Sequence, residues 1–140
     1  MAPVRPYANA YDLLKESALR PTRQRLALAK LLFDGTDRHV HAEQLHGEAL
    51  AAGVQVSLAT IYNTLHQFME VGLLREVVVE AGRTYFDTNI SDHHHFFCEE
   101  DGELRDISSD RLVFGRLPDP PAGKVVKRVD VIVHLGNLDD

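Results

Sequence analysis

A chain of 140 residues holds one domain or two very small ones. Apolar residues make up 44% and charged residues 26%, and no apolar run approaches the ~18 residues of a membrane helix, so we expect a soluble protein with no membrane partner. A net charge of −6 argues against a generally basic nucleic-acid binder, and the single cysteine, Cys98, rules out an intramolecular disulfide and a zinc site built on several thiolates.

Residues 1–15 contain no apolar stretch of the kind a secretory signal needs, which makes the expected location cytoplasmic. The charge is unevenly divided: residues 1–88 carry −1 and residues 89–140 carry −5. Residues 17–33 hold Arg20, Arg23, Arg25 and Lys30 and no acid. That is a local basic patch on a nearly neutral module, with a solvated helix face as the competing reading. Different electrostatics in the two parts suggest two jobs and a division into domains at 1–88 and 89–140.

In chain order, residues 9–18 read as a short helix with Tyr11, Leu14 and Ala18 on one side, interrupted at Arg20, Pro21 and Thr22. Thr22 can cap a second helix that runs to Phe33, with Leu26, Ala29, Leu32 and Phe33 at helical spacing. A loop at 34–37 leads to a third helix over 42–51, with Leu45 and Ala49 inward and Gly53 as its stop. Ser57 is the expected N-cap of a fourth helix over 58–71, whose apolar stripe is Leu58, Ile61, Leu65 and Phe68. Ala59, Thr60, Asn63, Thr64, His66 and Gln67 lie off that stripe, and Gly72 ends the helix. Residues 74–79 and 84–86 then form a β-hairpin around Ala81 and Gly82.

Short helices joined by tight turns, a polar-faced last helix and a hairpin follow the order of a winged helix-turn-helix. The outer face of the fourth helix suits a major groove, where Asn and Gln pair with adenine edges and Thr or Ala touches thymine methyls. A small helical domain that docks another protein is the competing reading. The remainder is β-rich, giving an α+β chain overall. Residues 94–98 and 103–107 flank an acidic turn, and 124–135 read as a long alternating strand with Val125, Val129, Val131, Val133 and Leu135 on one face. So few strands bury too little surface to stand alone, so this part is expected to pair with a second copy.

Eight histidines, three of them consecutive, are the compositional anomaly. On a strand His93 and His95 point one way and His94 the other. A His-x-His pair is a two-nitrogen grip that needs about one or two further ligands to hold a divalent ion, and His39 and Asp87 are the candidates. Phe96 and Phe97 would wall off solvent. Cys98, next to them, reads as a small buried hydrophobe. No phosphate loop, nucleophile elbow or Cys-x-x-Cys is present, and an enzyme is not expected.

The run Ala59-Thr60-Ile61-Tyr62-Asn63-Thr64-Leu65, preceded by Leu19-Arg20-Pro21-Thr22-Arg23-Gln24-Arg25 and followed by the His-rich strand, resembles the ferric uptake regulator family over roughly residues 10–135. The finer likeness is to its haem-responsive branch, the iron response regulators of alphaproteobacteria. The resemblance implies a dimeric bacterial transcription factor with an N-terminal winged helix and a small C-terminal α/β dimerisation domain. It implies a hinge site for zinc, iron or manganese at His39, Asp87, His93 and His95, with Asp87 where the family more often has Glu. A second family site would fall on Asp92, His94 and Asp130, with Asp130 in place of a usual His. The paired-cysteine structural zinc site is absent from this pattern, because Asp101 stands at the third position after Cys98.

The same resemblance implies double-stranded operator DNA as partner, read by Ser57, Ala59, Thr60, Tyr62, Asn63 and Thr64 and held by Arg20, Arg23 and Arg25. It implies haem as an effector that inactivates a regulator of haem-synthesis and iron-homeostasis genes, with a haem-donating enzyme as a further partner. Some iron response regulators carry an N-terminal Cys-Pro haem motif; this chain has none, so haem would use His93, His94 and His95. Two rivals stand beside this: a same-fold regulator that senses zinc, manganese or peroxide directly, and, remotely, a metallohydrolase built on the His cluster.

Overall fold

The computed structural model describes residues 10–80, 83–91 and 93–139. The chain divides between Ile90 and Ser91 into two compact units.

The first unit contains four helices and a small sheet. Helix α1 spans Ala10–Glu16, α2 Arg23–Phe33, α3 Ala42–Ala51 and α4 Leu58–Glu70. The caps follow from side-chain chemistry. Thr22 Oγ1 accepts from the Arg25 N–H at 3.2 Å and Ser57 Oγ from the Thr60 N–H at 3.1 Å, each satisfying a first-turn donor. His41 caps α3 in the same way, its Nδ1 accepting from the Gln44 N–H at 3.1 Å. Gly53 and Gly72 stop α3 and α4 with φ near +78° and +82°. The next residues, Val54 and Leu73, reach back to the Ala49 and Phe68 carbonyls at 2.8 and 2.9 Å, a closure that favours glycine.

The first helix ends earlier than the expected residue 18. Ala18 turns left-handed, with φ of 60°, and its N–H returns to the Lys15 carbonyl. The inward face is Leu13 and Leu14, while Tyr11 and Ala18 are exposed. In α2, Ala29, Leu32 and Phe33 are buried as expected, but Leu28 is the fourth buried residue and Leu26 is only half-buried. These helices enclose a core in which Phe33 and Phe68 meet at 5.6 Å between ring centroids, with Leu32, Leu45, Ile61 and Leu65 around them.

The first-unit sheet has the order β1-β3-β2, from β1 His39–Val40, β2 Arg75–Glu80 and β3 Arg83–Asp87. The hairpin β2–β3 is the wing; its turn residues Ala81 and Gly82 lie outside the described residues. β1 was not foreseen. It is only two residues long, and pairs antiparallel with β3 so that His39 faces Asp87 and Val40 faces Phe86.

The second unit is a sheet of order β5-β4-β6, from β4 His93–Cys98, β5 Glu103–Ser108 and β6 Ile132–Leu135, with a short 3-10 helix at Ser109–Arg111. β5 is antiparallel to β4 and β6 parallel to it. The long strand expected over 124–135 is thus cut to its last four residues. Alternation makes a strand only where a partner backbone is at hand. At Val131 the carbonyl still takes the His95 N–H at 3.1 Å, but its own N–H goes to the His94 ring. Upstream of it Val125 is 76% exposed, and Leu135 at the far end is exposed too. Cys98, expected in the core, is half-buried.

Candidate metal centre and DNA-reading face

The register of each sheet brings the chemically loaded side chains together. In the first unit, β1–β3 pairing sets His39 against Asp87, with Nε2 3.3 Å from Oδ2. The Asp87 side chain is 1% exposed, and its other oxygen accepts from the Asn89 N–H at 2.9 Å. A carboxylate this buried requires a positive or donating neighbour.

In the second unit, His93 and His95 share one face of β4 with their rings 4.5 Å apart. Asp106 on β5 is the cross-strand partner of His95. His93 Nδ1 lies 2.7 Å from the Ser91 carbonyl, which can only accept, so this nitrogen carries the proton. The free electron pair of a neutral His93 therefore sits on Nε2, which faces Asp106 Oδ1 at 3.3 Å; His95 Nε2 is 3.5 Å from the same oxygen. Two electron-pair donors facing each other need a cation between them, either a proton or a metal. A backbone carbonyl fixing the far nitrogen of an imidazole is also how metal-binding histidines are held. The donor set of imidazole nitrogen and carboxylate oxygen suits zinc, iron or manganese.

Asp106 was missed in the sequence. The signal was present: with Cys98 and Glu103 closing the acidic turn, counting back three pairs places Asp106 opposite His95.

The other expected ligand set fares differently. Asp92 lies outside the described residues. His94 points away from His93 and His95, its Nδ1 accepts from the Val131 N–H at 3.1 Å, and its ring meets Phe114 edge-on at 5.5 Å. Asp130 pairs with Arg128 at 2.8 Å. Among the described residues, neither His94 nor Asp130 joins a group of three possible metal ligands.

On α4, Ala59, Tyr62 and Asn63 are exposed, Thr60 is half-buried and Ser57 is exposed at the cap. Thr64 is 5% exposed and belongs to the core stripe with Ile61, Leu65 and Phe68, so it is corrected from base-reading to packing. Arg20 lies just before α2 and Arg23 opens it, and both are exposed, as a phosphate-holding role requires. Arg25 is half-buried instead, donating from Nε to Gln67 Oε1 at 3.1 Å and from a terminal nitrogen to the Arg20 carbonyl at 3.0 Å. It braces α2 against α4. Tyr62 donates its hydroxyl proton to Glu43 Oε1 at 3.0 Å. The Glu43 carboxyl is held below its ordinary pKa by its own backbone N–H and then by Tyr62, and the Tyr62 hydroxyl is raised by the bond to Glu43.

Comparison with known proteins agrees with these elements. The model of the ferric uptake regulator family matches residues 16–114. The chain is 32% identical over 100 residues to the ferric uptake regulation protein of Shigella flexneri, covering 71% of this chain and 68% of that one. In fold it resembles the ferric uptake regulator of Vibrio cholerae, with a TM-score of 0.71 at 22% identity over 90% of this chain and 98% of the other. It also resembles the Pseudomonas aeruginosa ferric uptake regulator solved with manganese, with a TM-score of 0.67 at 21% identity over 92% and 98% of the two chains.

Proposed function

Because this chain belongs to the ferric uptake regulator family, whose members are metal-responsive transcription regulators and not enzymes, we propose that it is a homodimeric bacterial repressor whose grip on operator DNA is set directly by a divalent metal. The observation that carries this is the His93–Asp106 contact, a buried imidazole whose Nδ1 is engaged by a backbone carbonyl and whose Nε2 faces a carboxylate. His93, His95 and Asp106 would hold an ion within the second unit, and His39 and Asp87 would offer two further donors within the first. When bound, the ion supplies the positive charge that both carboxylates and the imidazole nitrogens are set to receive. In this reading metal occupancy is coupled to DNA affinity, typically by about 1–3 kcal/mol. In this reading Arg20 and Arg23 hold phosphates, and Tyr62 and Asn63 reach base edges with Ala59 and Thr60 beside them. The exposed Val113, Leu117, Val125 and Val126 of the second unit supply apolar surface for a second copy.

A second reading is favoured by the three consecutive imidazoles beside Phe96, Phe97 and Phe114. In it the chain is an iron response regulator that controls haem-synthesis and iron-homeostasis genes, releases DNA when haem binds through His93, His94 and His95, and receives haem from a donating enzyme. This reading requires more rearrangement. The three histidines are 5%, 7% and 2% exposed, and ligation through His94 competes with its bond from Val131. Direct metal sensing asks for no such opening of β4. Metal analysis of the purified dimer, followed by a haem titration on DNA, tests both. About one ion per chain and DNA binding indifferent to haem support direct sensing; haem-driven release with an imidazole-ligated spectrum supports the second reading.

A further inference from the structure

Glu43 lies on α3, not on the helix that faces the groove, yet its carboxylate reaches Tyr62 on α4. A tyrosine hydroxyl is ambivalent: it both donates and accepts, so by itself it discriminates poorly between base edges. An ionised carboxylate can only accept. With its one proton committed to Glu43, the Tyr62 oxygen has only acceptor capacity left, and its ring is pinned toward α3. We propose that Glu43 is a specificity-determining positioning residue that fixes the hydroxyl polarity and ring direction of Tyr62, so that Tyr62 favours a base edge presenting an amine donor, adenine or cytosine, over one presenting only acceptors. This rests on the reading of α4 as the base-contacting helix.

Neighbouring groups are consistent with the assignment. Both partners are solvent-accessible, with the Glu43 side chain 61% exposed and Tyr62 38% exposed, so the pair is a surface contact and not a core contact. His41 Nδ1, which accepts from the Gln44 N–H, lies 3.4 Å from Glu43 Oε2, while Oε1 takes the Tyr62 proton. The competing role for Glu43 is that of a first-turn acid matched to the α3 dipole, which would affect stability and act evenly on all DNA sequences.

The test begins with selection of a duplex from a random double-stranded library by the manganese-loaded wild-type chain. Affinities are then measured for that duplex and for each of its single-base-pair variants, with wild type, Glu43→Ala, Glu43→Gln, Tyr62→Phe and the Glu43→Ala/Tyr62→Phe double variant. We expect Glu43→Ala and Tyr62→Phe each to lower discrimination by about three- to tenfold at the same base pair of each half-site, the scale of one net hydrogen bond, and the double variant to lose no more than either alone. Glu43→Gln gives up the same charge but keeps an oxygen acceptor at the same reach, so it should retain more discrimination than Glu43→Ala. An even change across all variants, additive losses in the double variant, or equal losses for Gln and Ala would overturn the role of Glu43 while leaving DNA reading intact. A wild-type chain that selects no sequence would overturn the DNA-reading function itself and this inference with it.

Discussion

His95 and Asp106 are cross-strand partners on β4 and β5, and that register sets the Asp106 carboxylate 3.5 Å from His95 Nε2 and 3.3 Å from His93 Nε2. One carboxylate therefore faces two imidazoles. The arrangement gives Asp106 the same place in the proposed metal site as the histidines, although it lies on the neighbouring strand and in no sequence motif.

Removal of one of these ligands should follow that geometry. Asp106→Asn, like His95→Ala, should weaken manganese or zinc binding by at least about tenfold, the scale on which even outer-shell partners act. His46→Ala should leave it unchanged, because His46 Nε2 is engaged with the Val56 carbonyl at 2.9 Å. Metal content of the purified variants after dialysis against a weak chelator gives the answer; full loading of Asp106→Asn would remove Asp106 from the set.

The basic residues divide into two roles. Arg20→Ala should weaken binding to all duplexes and reduce the salt slope by about one unit. Arg25→Ala should instead lower stability by about 1 kcal/mol, because it breaks the brace to Gln67 and the Arg20 carbonyl. Urea unfolding and salt-dependent DNA titrations separate the two. An unchanged unfolding midpoint for Arg25→Ala would return Arg25 to the phosphate-holding group.

On α4, Asn63→Ala should cost roughly 1–3 kcal/mol of discrimination at one base pair. Thr64→Val should leave base preference untouched, since the Thr64 side chain packs inside the stripe. Binding to the selected duplex and to its single-base variants checks both, and a sequence-specific loss for Thr64→Val would contradict its placement.

Acid should weaken the first unit through Glu43. Its folded pKa is lowered, so the stabilisation it contributes is present above the ordinary carboxylate range and is lost as pH falls through the folded value. Glu43→Gln should flatten that part of the stability–pH curve below about pH 5. Tyr62 runs oppositely: its raised pKa contributes below the ordinary phenol range and is lost as pH rises through the folded value. Unfolding midpoints measured for both chains across acid and alkaline series report the slopes.

Much of this was readable from the chain. Thr22 and Ser57 announce their helices by side-chain chemistry that acts within three residues, and the two-residue period of a strand separates His94 from His93 and His95. What was not readable depends on distant partners. β1 is two residues long and exists because β3 lies beside it. Thr64 completes an i, i+3, i+4, i+7 stripe with Ile61, Leu65 and Phe68, but its hydroxyl made it look like a groove-facing residue. The alternation over 124–135 is genuine, yet only Ile132–Leu135 has β4 to pair with. Asp106 follows from the hairpin register alone, which sets it opposite His95, and it sits in no histidine motif that would mark it.

Metal control of DNA binding is tested most directly by one titration: affinity of the chelator-stripped dimer for the selected duplex, before and after manganese is restored. The metal site predicts weaker binding by the stripped protein, by about 5–150-fold, recovered on manganese addition in the wild type and not in His95→Ala. Equal affinity of the stripped and loaded wild-type protein would contradict it.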